Sequence, residues 1–535
     1  MSPGPAASGT VGLDASAGPE PTRPDLTRPD LTRPDGAPVP SRRSLVVGLA
    51  ATAVGATALA SSPDEADAAS TDPVLHLLRR ATYGPTPALL AKARAQGAKA
   101  WLEAQLHPTS IPDRAVDTLM PSWTGQTWRP SQVRAAIPPS GRYAFMNGTV
   151  ERHLARALWS QRQLFELTVD FWTNHLVVPV PSSEVWDNGH LYQSEVIRRY
   201  AFGRYSAMLA AAVRHPALLR VLDLASSTAA APNENHAREM LELHTVGWGR
   251  YTEADVADAA RALTGLTVDA DGEYAFRPEL HGVGPVRVLG WSHPNATAAG
   301  GEQVALSLLG YLARHPATAR RIATKLAVRF VSDQPPAALV TRLAKVYQAH
   351  DTATVPVLRA LLTSAEFRAS VGQKIRTPYE DAIATLRLLG ARPTAAALPG
   401  LAALRSCLRL MGQAPMGWPA PNGYPDVAEA WATTSTTLRR WNFHDGAAKG
   451  GSAAAIPRLT PQQLMPKKLP TTYGALVDVL AHRFLLTLTS AQRTAVCTFL
   501  QHQPGDVLRP ADPALGWRLG HVAALVLSSP NFAIR

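Results

Sequence analysis

The sequence predicts an all-α protein, a multi-helix globular array with a small β hairpin or meander insert near residues 266–290. Apolar residues recur at spacings of three and four along most of the chain after residue 73, which is the period of an amphipathic helix. Short strand-like segments between Gly and Pro are confined to 266–290. The composition, 46% hydrophobic and 18% charged, is typical of a folded chain rather than a disordered one.

The segments before residue 69 are predicted to precede the fold. Residues 1–40 contain the repeat TRPDL-TRPDL-TRPDG, and Pro at every fifth position excludes a helix, so we predict a disordered leader. The segment SRRSLV at 41–46 places two adjacent arginines directly before an apolar stretch, which resembles a twin-arginine export signal. The small-x-small pattern ADA at 66–68 predicts cleavage before Ala69.

These segments predict export by the twin-arginine route to an extracellular or cell-envelope location. The apolar stretch at 45–60 is shorter than the roughly 20 residues of a membrane span, although an uncleaved N-terminal anchor is the alternative. We expect one large helical domain at 69–535, without a transmembrane span in the mature chain. A sub-boundary near 291–300 is left open, and small polar residues predict a loop at 446–466.

Helix starts and ends are visible as capping patterns. Thr86 precedes a proline at the first helical position, and Thr252 with Asp255 forms a capping pair. The tetrapeptide RHPA occurs at 214–217 and at 314–317, and we interpret it as one helix join used twice. The other predicted helices lie at 98–106, 150–177, 190–213, 233–246, 301–314, 316–331, 336–349, 354–362, 378–389, 400–411, 427–440 and within 472–533.

The formal net charge of +12 suits an anionic envelope polymer or a phospholipid surface, although the scattered positions of the arginines favour the simpler interpretation that they lie on solvated helix faces. A nucleic-acid partner is not expected, because the sequence lacks an aromatic-and-basic strip and a zinc-ligand spacing. Cys407 and Cys497 are too far apart in sequence for a CxxC redox pair. One disulfide and two free thiols are both compatible with the sequence.

Several long motifs resemble an exported bacterial family known as the domain-of-unknown-function 1800 family. They cover roughly residues 73–535 in one order: HLLRRATYGP at 76–85, QLFELTVDFWTNHLVV at 163–178, NENHAREMLELHTVGWGRYTEADVADAARALTG at 233–265, HPATARRIATKLAVRFVSD at 315–333, RTPYEDAIATLRLLG at 376–390, GYPD at 423–426 and SSPNFAIR at 528–535. The resemblance implies a helical, exported protein, with no established reaction. It also implies a co-encoded partner, an exported protein of the domain-of-unknown-function 1501 family. Family members often have His at Thr173 and an aromatic residue at Leu176.

The helix predicted at 233–246 carries the most polar face of the chain. At 100° per residue, one side collects Glu234, Asn235, Arg238, Glu239 and Glu242. The i,i+4 spacing predicts ion pairs of Arg238 with Glu234 and with Glu242. In the functional interpretation, Arg238 orients a carboxylate cluster, and Glu239 or Glu242 is a general acid or base, or a ligand for a divalent metal. The alternatives are a solvated salt-bridge ladder and a buried polar clamp.

Four further residues join this candidate site. Asn233 stands at the N-cap position of the same helix. Asn174 and His175 lie near the end of the predicted 150–177 helix, where they can bind a substrate or a metal, although a histidine among aromatic residues is also common in a core. His281 lies in the irregular segment ELHGVG, and loops on a helical scaffold often carry function.

The sequence lacks the GxSxG, HExxH, P-loop and dinucleotide-binding motifs, which excludes the enzyme classes that depend on them. A carboxylate- or metal-based hydrolase acting on a cell-envelope or extracellular polymer remains, with Glu239 and Glu242 leading and Arg238 and His175 in support. The alternative is a non-catalytic envelope-binding or scaffold protein. Whether the protein is an enzyme is left open by the sequence.

Overall fold

The computed structural model of the protein describes residues 72–450 and 455–535. The predicted leader and export signal, residues 1–68, lie outside the described residues, as do residues 451–454 of the predicted loop. Within the described ranges every helix is too short or too polar to cross a membrane. The leader, export signal and domain boundaries therefore stay predictions from the sequence.

The part of the described chain before the strands is helical. Its α-helices are α1 (Pro73–Ala81), α2 (Pro87–Gln96), α3 (Ala98–Leu106), α4 (Arg114–Leu119), α5 (Pro130–Ala136), α6 (Arg142–Trp159), α7 (Gln163–His175), α8 (Gly189–Leu191), α9 (Tyr205–Val213), α10 (Pro216–Val221), α11 (Glu234–Glu239) and α12 (Glu253–Leu263). Two π-helical segments, Tyr192–Arg198 and Met240–His244, continue directly from α8 and α11.

The predicted β insert consists of two separate hairpins. Strand β1 (Leu266–Val268) pairs antiparallel with β2 (Tyr274–Phe276), and β3 (Val286–Val288) pairs antiparallel with β4 (Trp291–His293). The second hairpin ends slightly beyond the predicted limit of residue 290. With these two small sheets among many helices, the predicted all-α fold class is confirmed.

Helices continue to the C-terminus. They are α13 (Gly301–Arg314), α14 (Pro316–Phe330), α15 (Ala337–Ala349), α16 (Thr354–Leu362), α17 (Ala365–Arg368), α18 (Pro378–Leu388), α19 (Leu398–Leu410), α20 (Ala428–Trp431), α21 (Thr434–Lys449), α22 (Tyr473–Arg483), α23 (Ser490–Phe499), α24 (Leu519–Leu527) and α25 (Pro530–Ala533). The loop predicted from residue 446 begins only after α21.

Side-chain capping determines where several helices begin. The Thr86 hydroxyl accepts a hydrogen bond from the amide of Leu89 at 3.2 Å. Thr252 and Asp255 cap α12 reciprocally, each side chain accepting from the other residue's amide. In both RHPA segments the histidine Nδ1 accepts from the amide two residues on, at 3.1 Å for His215 and 3.2 Å for His315. The repeated tetrapeptide is therefore one capping solution used twice.

Three long predicted helices differ from the observed ones, either because the helix is interrupted or because its hydrogen-bond pattern changes from α-helical to π-helical. The helix predicted at 150–177 is interrupted at 160–162 between α6 and α7, and the one at 190–213 includes a π-helical segment followed by a break before α9. At Met240 the α-helical bonding of α11 gives way to the π-helical pattern. The i,i+4 geometry expected across residues 238–242 is therefore lost.

One cluster of buried apolar side chains extends from Leu75 in α1 to Phe532 in α25, across residues 291–300. Several charges are buried with it. Asp381 joins α18 to α21, because its carboxylate accepts from Arg440 Nη2 and from His444 Nε2, both at 2.6 Å. Burial opposes ionisation of Asp381, but the charges of these two partners outweigh it and lower its pKa.

We expect Asp381→Asn to lower the free energy of unfolding by about 3–5 kcal/mol, because it leaves the buried Arg440 guanidinium without a counter-charge. Urea unfolding followed by circular dichroism measures this. The matched control is Asp445→Asn, which removes a more exposed carboxylate paired with Lys449 at 2.6 Å and should change stability by less than about 1 kcal/mol. Equal effects of the two substitutions would contradict the role of the buried pair.

Candidate functional site

A cavity of about 480 Å³ lies where α7, α14, the start of α18 and the loop at 413–426 meet. Its wall combines aromatic and aliphatic surface with a few charged side chains, a composition common in ligand sites. The lining residues used below are Asp170, Phe171, Thr173, Asn174, His175, Val177, Lys325, Arg329, Tyr379, Trp418, Gly423, Tyr424 and Asp426.

Helix geometry explains why these side chains converge. Asp170 and Asn174 are one turn apart on α7, and Lys325 and Arg329 are one turn apart on α14, so each pair lies on one helix face. The two faces border the same cavity. One turn of α7 therefore contributes a carboxylate and an amide to the cavity, and one turn of α14 contributes two cations.

The predicted site residue Asn174 holds the loop that forms another wall. Its side-chain amide donates to the carbonyl of Tyr424 at 2.8 Å, and its side-chain oxygen accepts from the Tyr424 amide at 2.7 Å. Gly423 has φ +78°, and a Cβ there would collide with the Asn174 backbone oxygen. Asn174 thus positions the loop against α7 through paired hydrogen bonds.

The predicted site residue His175 is buried and contacts Lys325. Its Nδ1 lies 3.0 Å from Lys325 Nζ, and its Nε2 lies 3.2 Å from the carbonyl of His244 and 3.1 Å from the hydroxyl of Tyr205. The Tyr205 hydroxyl donates to the same carbonyl. Because a carbonyl only accepts, this arrangement assigns the ring proton to Nε2 and leaves Nδ1 to accept from Lys325.

Burial makes Lys325 an unusual lysine. Desolvation, assisted by the charge of Arg321 one turn earlier, lowers the pKa of Lys325 to about 7. Desolvation and the neighbouring Lys325 also hold the pKa of His175 well below its usual range, so the imidazole is neutral. Near neutral pH the lysine can therefore both give and take a proton, which is the requirement for acid–base catalysis.

Two carboxylates in the wall differ in how tightly they are held. Asp426 lies 2.9 Å from Lys374 Nζ and 3.5 Å from Arg329 Nη1. Burial opposes its ionisation, but the charges of Lys374 and Arg329 prevail and lower its pKa to about 2. Asp170 has only longer contacts, 3.5 Å to Arg329 Nη2 and 3.6 Å to His153 Nε2. Asp170 is therefore the carboxylate with more freedom to engage water or substrate.

The predicted polar face of residues 234–242 is divided rather than clustered. Arg238 forms a two-bond ion pair with Glu253, at 2.7 and 2.6 Å, and within the described residues the expected pairs with Glu234 and Glu242 do not form. Glu242 instead accepts from the Tyr251 hydroxyl at 2.8 Å. The expected salt-bridge ladder is wrong for two reasons. Arg238 pairs instead with Glu253 at the start of α12, and the π-helical segment moves Glu242 away from Arg238.

Glu239 lines a second, smaller cavity of about 110 Å³, together with Asn235 and Asp223. Its Oε2 is buried without a hydrogen-bond partner in the described part of the chain, and burial raises its pKa. Val177 borders both cavities, so this pocket is next to the larger one. The catalytic roles of Glu239 and Glu242 stay predictions.

Two other candidate residues, Asn233 and His281, form hydrogen bonds that fix main-chain segments. Asn233 caps α11, accepting from the His236 amide at 2.9 Å and donating to the carbonyl of Leu222 at 3.1 Å. His281 is buried, with Nδ1 2.9 Å from the carbonyl of Thr264 and Nε2 2.8 Å from the side-chain oxygen of Asn295. Neither residue lines the two cavities. Glu234, at the start of α11, is exposed.

The charged residues of the cavity, Asp170, Lys325, Arg329 and Asp426, were not anticipated as site residues. Arg321, Lys325 and Arg329 stand at i, i+4 and i+8 in the motif at 315–333, and Asp426 ends the GYPD motif, so a search for charges repeating on one helix face would have flagged them. Residues 72–450 and 455–535 contain no group of three or more His, Cys, Asp and Glu side chains arranged to hold a metal ion. Cys407 and Cys497 are both free thiols.

The fold and the cavity define a helical globular protein with a polar, partly buried site. A family model described as a protein of unknown function, DUF1800, matches residues 76–534, so the chain belongs to the DUF1800 family and the resemblance is confirmed. Neither the curated proteins nor the solved structures compared with the chain include a match. Thr173 lines the cavity and donates to Gln193 at 3.1 Å.

We expect competitive acetylation, read by mass spectrometry, to give Lys325 a pKa near 7, whereas an ordinary lysine titrates near 10.4. Arg321→Met should raise that pKa, because it removes the nearby positive charge. The control Arg320→Met, on the exposed neighbour that contacts Thr341, should leave it unchanged. A Lys325 that titrates like a surface lysine would contradict the desolvated site.

Proposed function

We propose that this protein is an exported hydrolase that acts on a cell-envelope or extracellular polymer, with the reaction in the 480 Å³ cavity. One observation carries the proposal: Lys325, hydrogen-bonded to a neutral His175, shares this cavity with the carboxylate of Asp170. A desolvated lysine and a carboxylate in one cavity can serve as proton donor and proton acceptor. The twin-arginine signal predicted from the sequence supports a substrate outside the cytoplasm.

In this proposal Lys325 is the general acid. Near neutral pH a fraction of its side chain is the ammonium form, which donates a proton to the leaving group of the scissile bond. The fixed Nδ1 lone pair of His175 orients the ammonium, since the other ring nitrogen is committed to the carbonyl of His244. His175 therefore positions the acid and need not itself be protonated.

Asp170 is the proposed base or nucleophile. Its carboxylate either removes a proton from the attacking water or attacks the substrate directly, the two roles that a second carboxyl group takes in polymer hydrolysis. The long contacts to Arg329 and His153 hold it in place without occupying all its lone pairs. Asp426, with its two cationic neighbours, is better suited to fixing Arg329 than to accepting a proton.

The apolar wall is suited to a ring-containing substrate. Phe171, Trp418 and Tyr424 line the cavity, and the Trp418 and Tyr424 rings lie 4.8 Å apart between centroids. Aromatic faces bind sugar and other ring units and exclude water from the reacting bond. Glu239, in the adjacent pocket, is the second candidate acid that the sequence supplies, and Glu239→Gln tests it beside Lys325→Met.

The test uses the exported protein purified from its native host. It is incubated with host cell-wall material and extracellular polymers, and released fragments are measured by liquid chromatography and mass spectrometry. We expect Lys325→Met and Asp170→Asn each to lower kcat about 10²- to 10⁴-fold while the circular dichroism spectrum is retained. The matched control, Lys345→Met, changes an exposed lysine of α15 and should keep full activity.

Full activity of Lys325→Met would contradict the assigned acid. Failure of the wild-type protein to release fragments from any polymer, combined with tight binding to one of them, would favour the alternative of a non-catalytic envelope-binding protein.

A further inference from the structure

In the described part of the chain, two basic residues at the proposed active site lack a counter-charge: Lys325, the proposed acid that lines the cavity, and Arg321, one helical turn before it. Arg321, Lys325 and Arg329 follow one another on one face of α14. Arg329 is neutralised by Glu380 at 2.8 Å and by longer contacts to other carboxylates. Within the described residues, by contrast, neither Arg321 nor Lys325 has a carboxylate within 4.0 Å.

The hydrogen bonds of these two cations leave donors free. Arg321 Nη2 donates to the carbonyl of Leu243 at 3.2 Å, while its Nε is buried without an acceptor in the described part of the chain. Lys325 contacts only the neutral His175. Half-buried cations without an anionic partner are costly, so a negatively charged ligand group would be stabilised there.

The acids that act electrostatically on these cations are already engaged. Glu242 acts on Arg321 electrostatically, but its carboxylate accepts from the Tyr251 hydroxyl. Asp426 acts on Lys325 in the same way, but Lys374 lies 2.9 Å from its carboxylate. Neither acid lies close enough to form an ion pair, so the positive charge of the Arg321–Lys325 pair remains available.

Trp248 lies in a loop that is adjacent to Arg321. Its side chain is 81% exposed, the most exposed large apolar side chain in the described part of the chain. Gly247 and Gly249, on either side, have φ +97° and +71°, a conformation that favours glycine and turns the tryptophan outward. A Cβ on Gly247 would lie 3.2 Å from Arg321 Nη1, so the tryptophan loop packs directly against that cation.

An exposed indole in a loop beside the unpaired Arg321 suits one substrate class. The flat face of the indole stacks on a sugar ring, while the guanidinium binds a carboxylate or phosphate on the same chain. Resting on the proposed function, we infer that the substrate is an anionic glycan, with its acidic group bound by Arg321, a neighbouring sugar ring stacked on Trp248, and Lys325 left to act as the acid.

The experiment measures binding, so that it does not depend on turnover. Isothermal titration calorimetry uses full-length Asp170→Asn protein, which keeps both cations, with polygalacturonate, a sugar-phosphate polymer and neutral dextran. We expect binding to at least one anionic glycan, with weaker binding at high salt and none to dextran. The anionic glycan that binds identifies the acidic group as carboxylate or phosphate.

Adding Arg321→Met or Trp248→Ala should weaken that binding about tenfold or more, a loss of about 1.4 kcal/mol. The matched controls are Arg320→Met on the same helix and Trp517→Ala, a 69% exposed tryptophan elsewhere, and both should bind like the parent. Equal weakening in the controls, binding to dextran as tight as to the anionic glycans, or binding unaffected by Arg321→Met and Trp248→Ala would overturn the inference.

The same measurement separates this inference from the proposed function. Glycan binding that requires Arg321 and Trp248, without hydrolysis by the wild-type protein, would support the binding site and contradict the hydrolase. Hydrolysis of a neutral polymer with no affinity for either anionic glycan would support the hydrolase and overturn the anionic substrate.

Discussion

Arg329, only 4% exposed, connects three parts of the chain that are distant in sequence. From α14 it contacts Asp170 on α7, Glu380 on α18 and Asp426 in the loop that closes the cavity. The C-terminal residue Arg535 also pairs with Glu380. Removing one member of such a buried network leaves the others without compensation, so these elements are held in one arrangement. The cavity depends on that arrangement, because Asp170 and Asp426 form part of its wall.

The chemistry proposed for Lys325 follows from the same packing. A lysine one turn from a buried arginine, on a helix covered by other elements, loses hydration and with it part of its affinity for a proton. Arg329 has carboxylates to compensate its charge, whereas Lys325 faces a neutral imidazole. On one helix face, Arg329 therefore has a structural role, whereas Lys325 has a reactive one.

Much of the fold follows from local signals in the sequence. Several helix starts were predicted from proline at the first helical turn, from the Thr252–Asp255 pair and from the spacing of apolar residues. The structure confirms these starts, because caps and amphipathic faces act over a few residues. The π-helical segment after α11 was missed, and it changes which residues meet Glu242. Asn174 and His175 were predicted as site residues and line the cavity, whereas Lys325 was not, since its desolvation arises from helices far away in sequence.

Hydrogen–deuterium exchange of Arg329→Met tests whether this residue holds the cavity together. We expect faster exchange of amides in the loop at 413–426 and at the start of α18, with α22 and α23 protected as in the wild-type protein. The Tyr424 amide, which donates to Asn174, is the most informative probe. Wild-type protection of the loop in the folded variant would show that the cavity forms without the Arg329 network and would contradict the structural role of Arg329.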